Sequence, residues 1–112
     1  MLSKELVGAS TVPLVLSLLA EEESYGYALI QRMRAASAER IEWTEGMLYP
    51  VLHWMEDERL IVSEWRQEAG ERRRKYYRIT PAGRKALGKE RAQWMAVHET
   101  LTLLWKPRMN ST

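Results

Sequence analysis

A mainly α-helical domain carrying one small β-hairpin is the architecture that three patterns in these 112 residues specify. Ile61-Val62-Ser63-Glu64-Trp65-Arg66 and Lys75-Tyr76-Tyr77-Arg78-Ile79-Thr80 are β-rich runs, separated by a segment holding Gly70 and Arg72-Arg73-Arg74. An apolar helical pattern, Met47 to Leu60, runs straight into the first of them. After the second, Pro81 opens a long helical pattern. A helix feeding a hairpin with four cations near its tip outlines a winged helix-turn-helix, here followed by a long C-terminal helix. Such a helix can enter a DNA major groove while the wing cations meet phosphate.

The first helix is expected within Leu6 to Glu22. Its regular part should begin near Ser10 or Thr11, either of which can cap it, so that Pro13 falls in the first turn. Val12 to Ala20 is the most hydrophobic run, yet it falls short of the ~20 residues that span a bilayer. It also lacks the marks of a secretory signal. Lys4 sits beside Glu5, and Glu21-Glu22-Glu23 stand where a small-residue cleavage site belongs. A buried core helix is the reading that remains.

The second helix is expected to start at Ser24 or Tyr25, with Ser24 as N-cap, and to end near Ala38. Tyr25, Leu29 and Met33 then form one buried stripe. Thr44 caps the third helix, and Glu45 places an acid at its positive end. Leu48, Val51, Leu52 and Met55 make its core face, and Gly46, Tyr49, Pro50 and His53 lie on the other side. Pro50 cannot donate a backbone hydrogen bond, so a slight distortion is expected there.

Thr80 caps the last helix, which runs to Trp105 and stops before Pro107. About 25 residues make a rod of about 37 Å. Leu87, Trp94 and Leu101 recur every seventh residue, and Val97 and Leu104 repeat that interval, with Glu90 interrupting the seam. A rod that outruns so small a core needs another apolar surface, and a second copy of the chain supplies it. The expected organisation is therefore a winged-helix DNA-binding domain over 1–80, a dimerisation helix over 81–107 and a flexible tail over 108–112.

Composition removes several function classes. The chain has no cysteine, which excludes disulfides and thiolate metal sites and fits a reducing cytoplasm. His53 and His98 stand too far apart in sequence to suggest a metal site, so neither metal nor cofactor is expected. The acids are mostly glutamates at surface spacing. No nucleophile–base–acid set stands out, and the glycines do not form a phosphate-cradling loop, so an enzyme is not expected.

The net charge is only +2, but it is unevenly placed, with Glu21 to Glu23 acidic and Arg72 to Lys75 basic. A basic run on a hairpin can merely keep an edge strand soluble. Behind a helix presenting Tyr49, it reads as a phosphate contact made by Arg72, Arg73, Arg74 and Lys75. The third helix offers no Arg or Lys to read guanine. Tyr49, His53, contacts to thymine methyls or DNA shape must then carry specificity. Lys4, Arg32 and Arg34 are further candidates for phosphate. Trp43 and Trp65 are expected to be packing residues. Two rival readings are a small-molecule-sequestering dimer and a winged-helix module for protein contacts. Salt-sensitive binding to a duplex separates both from the first.

Four local words occur in order: Tyr25-Gly26-Tyr27, Glu45-Gly46-Met47-Leu48-Tyr49-Pro50, Arg72-Arg73-Arg74-Lys75-Tyr76-Tyr77-Arg78-Ile79-Thr80, and Gly83. Together they resemble the PadR family of bacterial transcription regulators, from about Leu6 to Leu104. The short length and single C-terminal helix are similar to its compact subfamily, which includes a lactococcal multidrug-responsive repressor. The resemblance implies a homodimer that represses transcription from a palindromic operator. It implies a recognition helix from Gly46 through His53 and a wing from Gly70 to Lys75. Trp94 aligns with a tryptophan that, in the multidrug-responsive member, stacks on planar drugs at the dimer centre. Met95 and His98 are its candidate companions in an effector site. His98 and Trp105 depart from that member, and a plain seam residue is the other reading of Trp94.

Overall fold

Residues 2–107 are described by the computed structural model, so the tail expected over 108–112 lies outside the described residues. The order is α1 (Lys4–Glu21), β1 (Ser24–Tyr25), α2 (Gly26–Ala36), α3 (Glu45–Asp57), β2 (Ile61–Arg66), β3 (Arg74–Ile79) and α4 (Pro81–Trp105). The fold is mainly helical with a small antiparallel sheet of strand order β1-β3-β2.

The first helix starts earlier than its caps at Ser10 or Thr11 would allow. Ser3 is the N-cap, its hydroxyl accepting the Leu6 amide at 3.1 Å, and Glu5 sits in the first turn. Pro13 therefore lies inside α1, not at its start. An interior proline costs about 3 kcal/mol. Burial of Val15, Leu16, Leu18 and Leu19 around most of the helix offsets it, at about 1.5–3 kcal/mol for each such side chain.

Ser24 is not a cap either. Ser24 and Tyr25 pair with Tyr77 and Tyr76, making the third strand that the sequence pattern did not disclose. The open edge of β3 offers backbone partners, and tyrosine fits a pleated, half-buried surface. α2 thus begins at Gly26 and ends at Ala36, short of Ala38, where Ala38 and Glu39 take left-handed φ values of 54° and 63°. Its buried stripe is Leu29, Ile30 and Met33, without Tyr25.

Thr44 caps α3 as expected, Oγ1 accepting the Met47 amide at 3.2 Å. Leu48, Leu52 and Met55 are fully buried and Val51 half-buried. The helix ends at Asp57 rather than Leu60, because Arg59 turns the chain at φ 60° and the Leu60 amide reaches back to the Met55 carbonyl. The chain leaves that turn directly as β2. The ladder then runs from Ile61↔Ile79 to Arg66↔Arg74.

The joint between wing and last helix is tight. Thr80 Oγ1 accepts the Gly83 amide at 2.9 Å and lies 2.7 Å from the Arg59 carbonyl, to which it donates. A Cβ at Gly83 would collide with the Leu60 carbonyl and lie 2.8 Å from Ile79 Cγ1. Only a glycine lets α4 approach the root of β2 this closely. Four residues on, Leu87 is 7% exposed and belongs to the same core as α1, α3 and the sheet. This corrects its assignment to a dimer seam: the first turns of α4 pack against their own chain. Beyond Leu87, α4 has no fully buried residue.

Gly83→Ala should lower stability by about 1–3 kcal/mol, the usual cost of forcing extra volume into a packed site. Gly88→Ala is its control. A Cβ there meets nothing within 4 Å, so it should stabilise the helix by about 0.5–1 kcal/mol. Urea unfolding at one fixed protein concentration measures both.

Candidate nucleic-acid interface

Two surfaces meet at one cleft. α3 presents its exposed side, and the wing, β2 and β3 with the turn between them, rises beside it. The cleft is about 630 Å³ and is walled by Tyr25, Tyr27, Tyr49, Trp65 and Tyr77, with Arg72 to Lys75 along its rim.

Of the residues expected to read DNA, Gly46, Pro50 and His53 are exposed on α3. His53 Nε2 stands 3.6 Å from Asp57 one turn on. Tyr49 is placed differently. Its phenol lies over Gly26 at the start of α2, where a Cβ would come within 2.7 Å of Cζ. Tyr49 thus touches the start of α2 while staying 41% exposed. Burial and then the Glu45 carboxylate push its pKa up. Tyr77, across the joint, is pushed up to about 12 by burial first, then by Tyr49 and Glu56. Both phenols remain neutral donors at physiological pH.

The basic run is not four equivalent cations. Arg74 is the first residue of β3 and stacks on Tyr25, 4.4 Å from the ring centre. Lys75 reaches Glu56 of α3 at 3.7 Å. Glu56 also accepts a hydrogen bond from Ser63, which fixes the wing against the helix. Arg73 lies 4.7 Å above Trp65. Arg72 is exposed, and among the described residues it is in neither an ion pair nor a ring contact.

Trp65 is not a packing residue. It is 55% exposed. Strand parity places it on the inner face with Ile61 and Ser63, but β2 runs past the end of the core, so that face meets open cleft there. Trp43 does pack, at 3% exposed. On the outer face Arg66 joins Glu23 to Glu64 over the Tyr76 ring, a bracket that no local sequence pattern announced. The hydrogen bond from Arg66 holds the Glu23 carboxyl below its usual range.

The auxiliary cations are largely committed. Arg32 bonds the Leu18 carbonyl at 2.8 Å and pairs with Glu21, and Arg34 pairs with Glu39 and Glu42. Lys4 is exposed.

The last helix forms a second region. Trp94 is half-buried, its indole donating to Glu90 Oε2 at 3.2 Å. It lines a hollow of about 230 Å³ with Leu87, Arg91 and the α1 residues Ser10, Pro13, Leu14 and Ser17. His98 lines a different hollow, with Glu99, Thr102, Leu103 and Lys106, so within one chain it does not share the Trp94 opening. Met95, Val97, Leu101, Leu103, Leu104 and Trp105 are exposed. Among the described residues no helix is long and apolar enough to cross a membrane.

The transcriptional regulator PadR-like family pattern matches residues 15–89, from the middle of α1 through the wing to the start of α4. Transcriptional regulator Rv3488 of Mycobacterium tuberculosis is 42% identical over 77 residues, which are 69% of this chain and 68% of that protein. A transcriptional regulator from Clostridium thermocellum has a similar structure, with a TM-score of 0.85 at 29% identity, covering 95% of this chain and 100% of that one. A PadR family transcriptional regulator from Eggerthella lenta gives 0.74 at 36% identity, covering 93% and 85%. With helices, wing and cleft arranged as above and most of its length matched, the chain belongs to the PadR-like family of transcriptional regulators, whose work is DNA-binding regulation rather than catalysis.

Proposed function

We propose that the chain is a homodimeric repressor that binds a palindromic operator in double-stranded DNA. Residues 1–80 form the DNA-binding unit and 81–107 the dimerisation helix. The observation that carries this reading is the cleft, where Glu45 and Tyr49 of the cation-free helix α3 stand beside a wing whose Arg72 and Arg73 are in no ion pair among the described residues. Arg72 and Arg73 neutralise phosphate. Arg74 and Lys75 add to the field but also hold the wing to β1 and α3. Gly46, Pro50 and His53 face the bases, and Tyr49 sets the pose of the helix while its exposed edge reaches the groove. Neither a sequestering role nor a protein-contact role calls for this pairing of helix and cationic wing.

The dimer seam is Trp94, Val97, Leu101 and Leu104. These follow the part of α4 that its own core covers, and Leu104 is 70% exposed in the single chain. An apolar helical surface of this extent is stable in water when a second copy covers it. A planar aromatic cation is the effector chemistry that suits Trp94, since the indole offers a stacking face and Glu90 a carboxylate beside it. Met95 and His98 can join that site through the partner's helix. Such a ligand relieves repression only by favouring one spacing of the two heads.

Arg72→Ala with Arg73→Ala should weaken binding to every duplex with little change in ranking, because interactions with phosphate carry little base information. The log–log salt slope should flatten by about 0.9 for each phosphate no longer neutralised. Arg74→Ala alone should change the slope less. Fluorescence anisotropy across a potassium chloride series tests both, and an unchanged slope in the folded double variant would reduce the wing to a solvated surface.

Leu101→Glu should dissociate the dimer, since a buried unpaired charge is costly. Sedimentation at micromolar concentration reads the mass, and a parent that already sediments as one chain removes the seam.

By calorimetry, an acridine-class cation should bind the parent in the micromolar range and the Trp94→Ala dimer at least about tenfold more weakly, because the aromatic stack and its cation–π attraction are gone. Equal affinity would return Trp94 to plain packing.

A further inference from the structure

Trp54 is 50% exposed on α3, and neither the core nor the wing accounts for it. The three fully buried residues, Leu48, Leu52 and Met55, fix which way the helix faces. With about 100° between successive residues, the direction opposite them falls among Gly46, Pro50 and Asp57. His53 flanks that direction by about 50° on one side and Trp54 by about 50° on the other. Met47, also exposed, lies beyond Trp54. Tyr49 lies beyond His53 and turns onto Gly26. Trp54 is therefore as central to the outward face as His53 and more central than Tyr49.

This face is poor in hydrogen-bond donors. Gly46 has no side chain, Pro50 offers no donor, Asp57 is a carboxylate acceptor, and His53 is the one polar side chain that can donate, its Nε2 3.6 Å from Asp57. Beside these the face offers apolar groups: the Pro50 ring, the Trp54 indole and the Met47 thioether. The major-groove edges of the base pairs carry one apolar group, the C5-methyl of thymine. We infer that Trp54, with Pro50 and Met47 beside it, reads thymine methyl groups in the major groove, and that thymine is the base α3 distinguishes best. The inference rests on the DNA-binding reading above and specifies the chemistry of that site. Charge argues for DNA as the occupant of the outward face: α3 has no Arg or Lys of its own, and the basic wing that meets the helix at Glu56 supplies the cations that hold a polyanion across it.

Deoxyuridine lacks only the methyl and keeps every hydrogen-bonding group of thymine, so it isolates this interaction. The full-length protein is used to select its preferred duplex from a random pool. Each thymine in that duplex is then replaced in turn by deoxyuridine. The expected result is one or more positions per half-site at which uracil lowers affinity about threefold to fivefold, the effect of one buried methyl group. Trp54→Ala should bind the thymine and uracil duplexes equally at those positions while keeping the parent's salt slope. Trp54→Gln serves the same purpose if the alanine variant loses its circular dichroism spectrum. Uracil tolerated at every position by the parent overturns the inference and leaves the DNA-binding reading intact. So does a folded Trp54 variant that keeps the full thymine preference. A parent that enriches no duplex and binds none with salt dependence overturns the DNA-binding reading itself, and this inference with it.

Discussion

The seating of the Tyr49 phenol on the backbone of Gly26 ties together the half of the molecule that carries the cleft. Gly26 follows directly on the two residues that pair with β3, and Tyr49 sits in the middle of α3. One contact therefore joins the sheet, the start of α2 and the recognition helix. A Cβ at position 26 would displace the phenol from this seat. Tyr77 backs the joint from the sheet, and because both phenols hold their protons across the neutral range, no charge enters it.

The second organising contact is the Gly83 approach to Leu60, where α4 leaves the domain. It divides the last helix by function. Its first turns, through Leu87, complete the core of their own chain. Its later turns carry apolar residues into solvent. A seven-residue repeat cannot reveal that division, because Leu87 and Leu101 have the same spacing whether the partner is α1 or another chain. Solvent exposure in the single chain separates them.

What was readable in the sequence and what was not follow the range of the forces involved. The hairpin, the Thr44 and Thr80 caps and the extent of α4 were readable because each depends on residues within a few positions of itself. The Ser3 cap, with Pro13 left inside α1, was missed because Pro13 pointed to a later start. β1 was missed because two residues have no periodicity and exist as a strand only through β3, some fifty positions away. The cation run and the Gly46, Pro50 and His53 face were readable as composition at helical spacing. The unequal state of those cations was not, since Glu56, Tyr25 and Trp65 reach them only after folding. Trp65 misled because strand parity predicts a facing direction but not where the core beneath it ends. Trp54 was overlooked because tryptophan reads as core until its neighbours are placed.

The guanidinium of Arg73 rests on Trp65 and that of Arg74 on Tyr25. An arginine side chain carries about 2 kcal/mol of rotamer entropy, and a planar fork already held by a ring has less of it to surrender when it meets an anion. Much of the ordering that a flexible basic loop would undergo on contact has thus already occurred during folding. On the proposed reading, binding by such a wing is limited less by immobilising its arms than by displacing counterions from the duplex. Temperature and salt then act on it separately: ionic strength governs how firmly the wing holds, while the stacked arms keep their geometry.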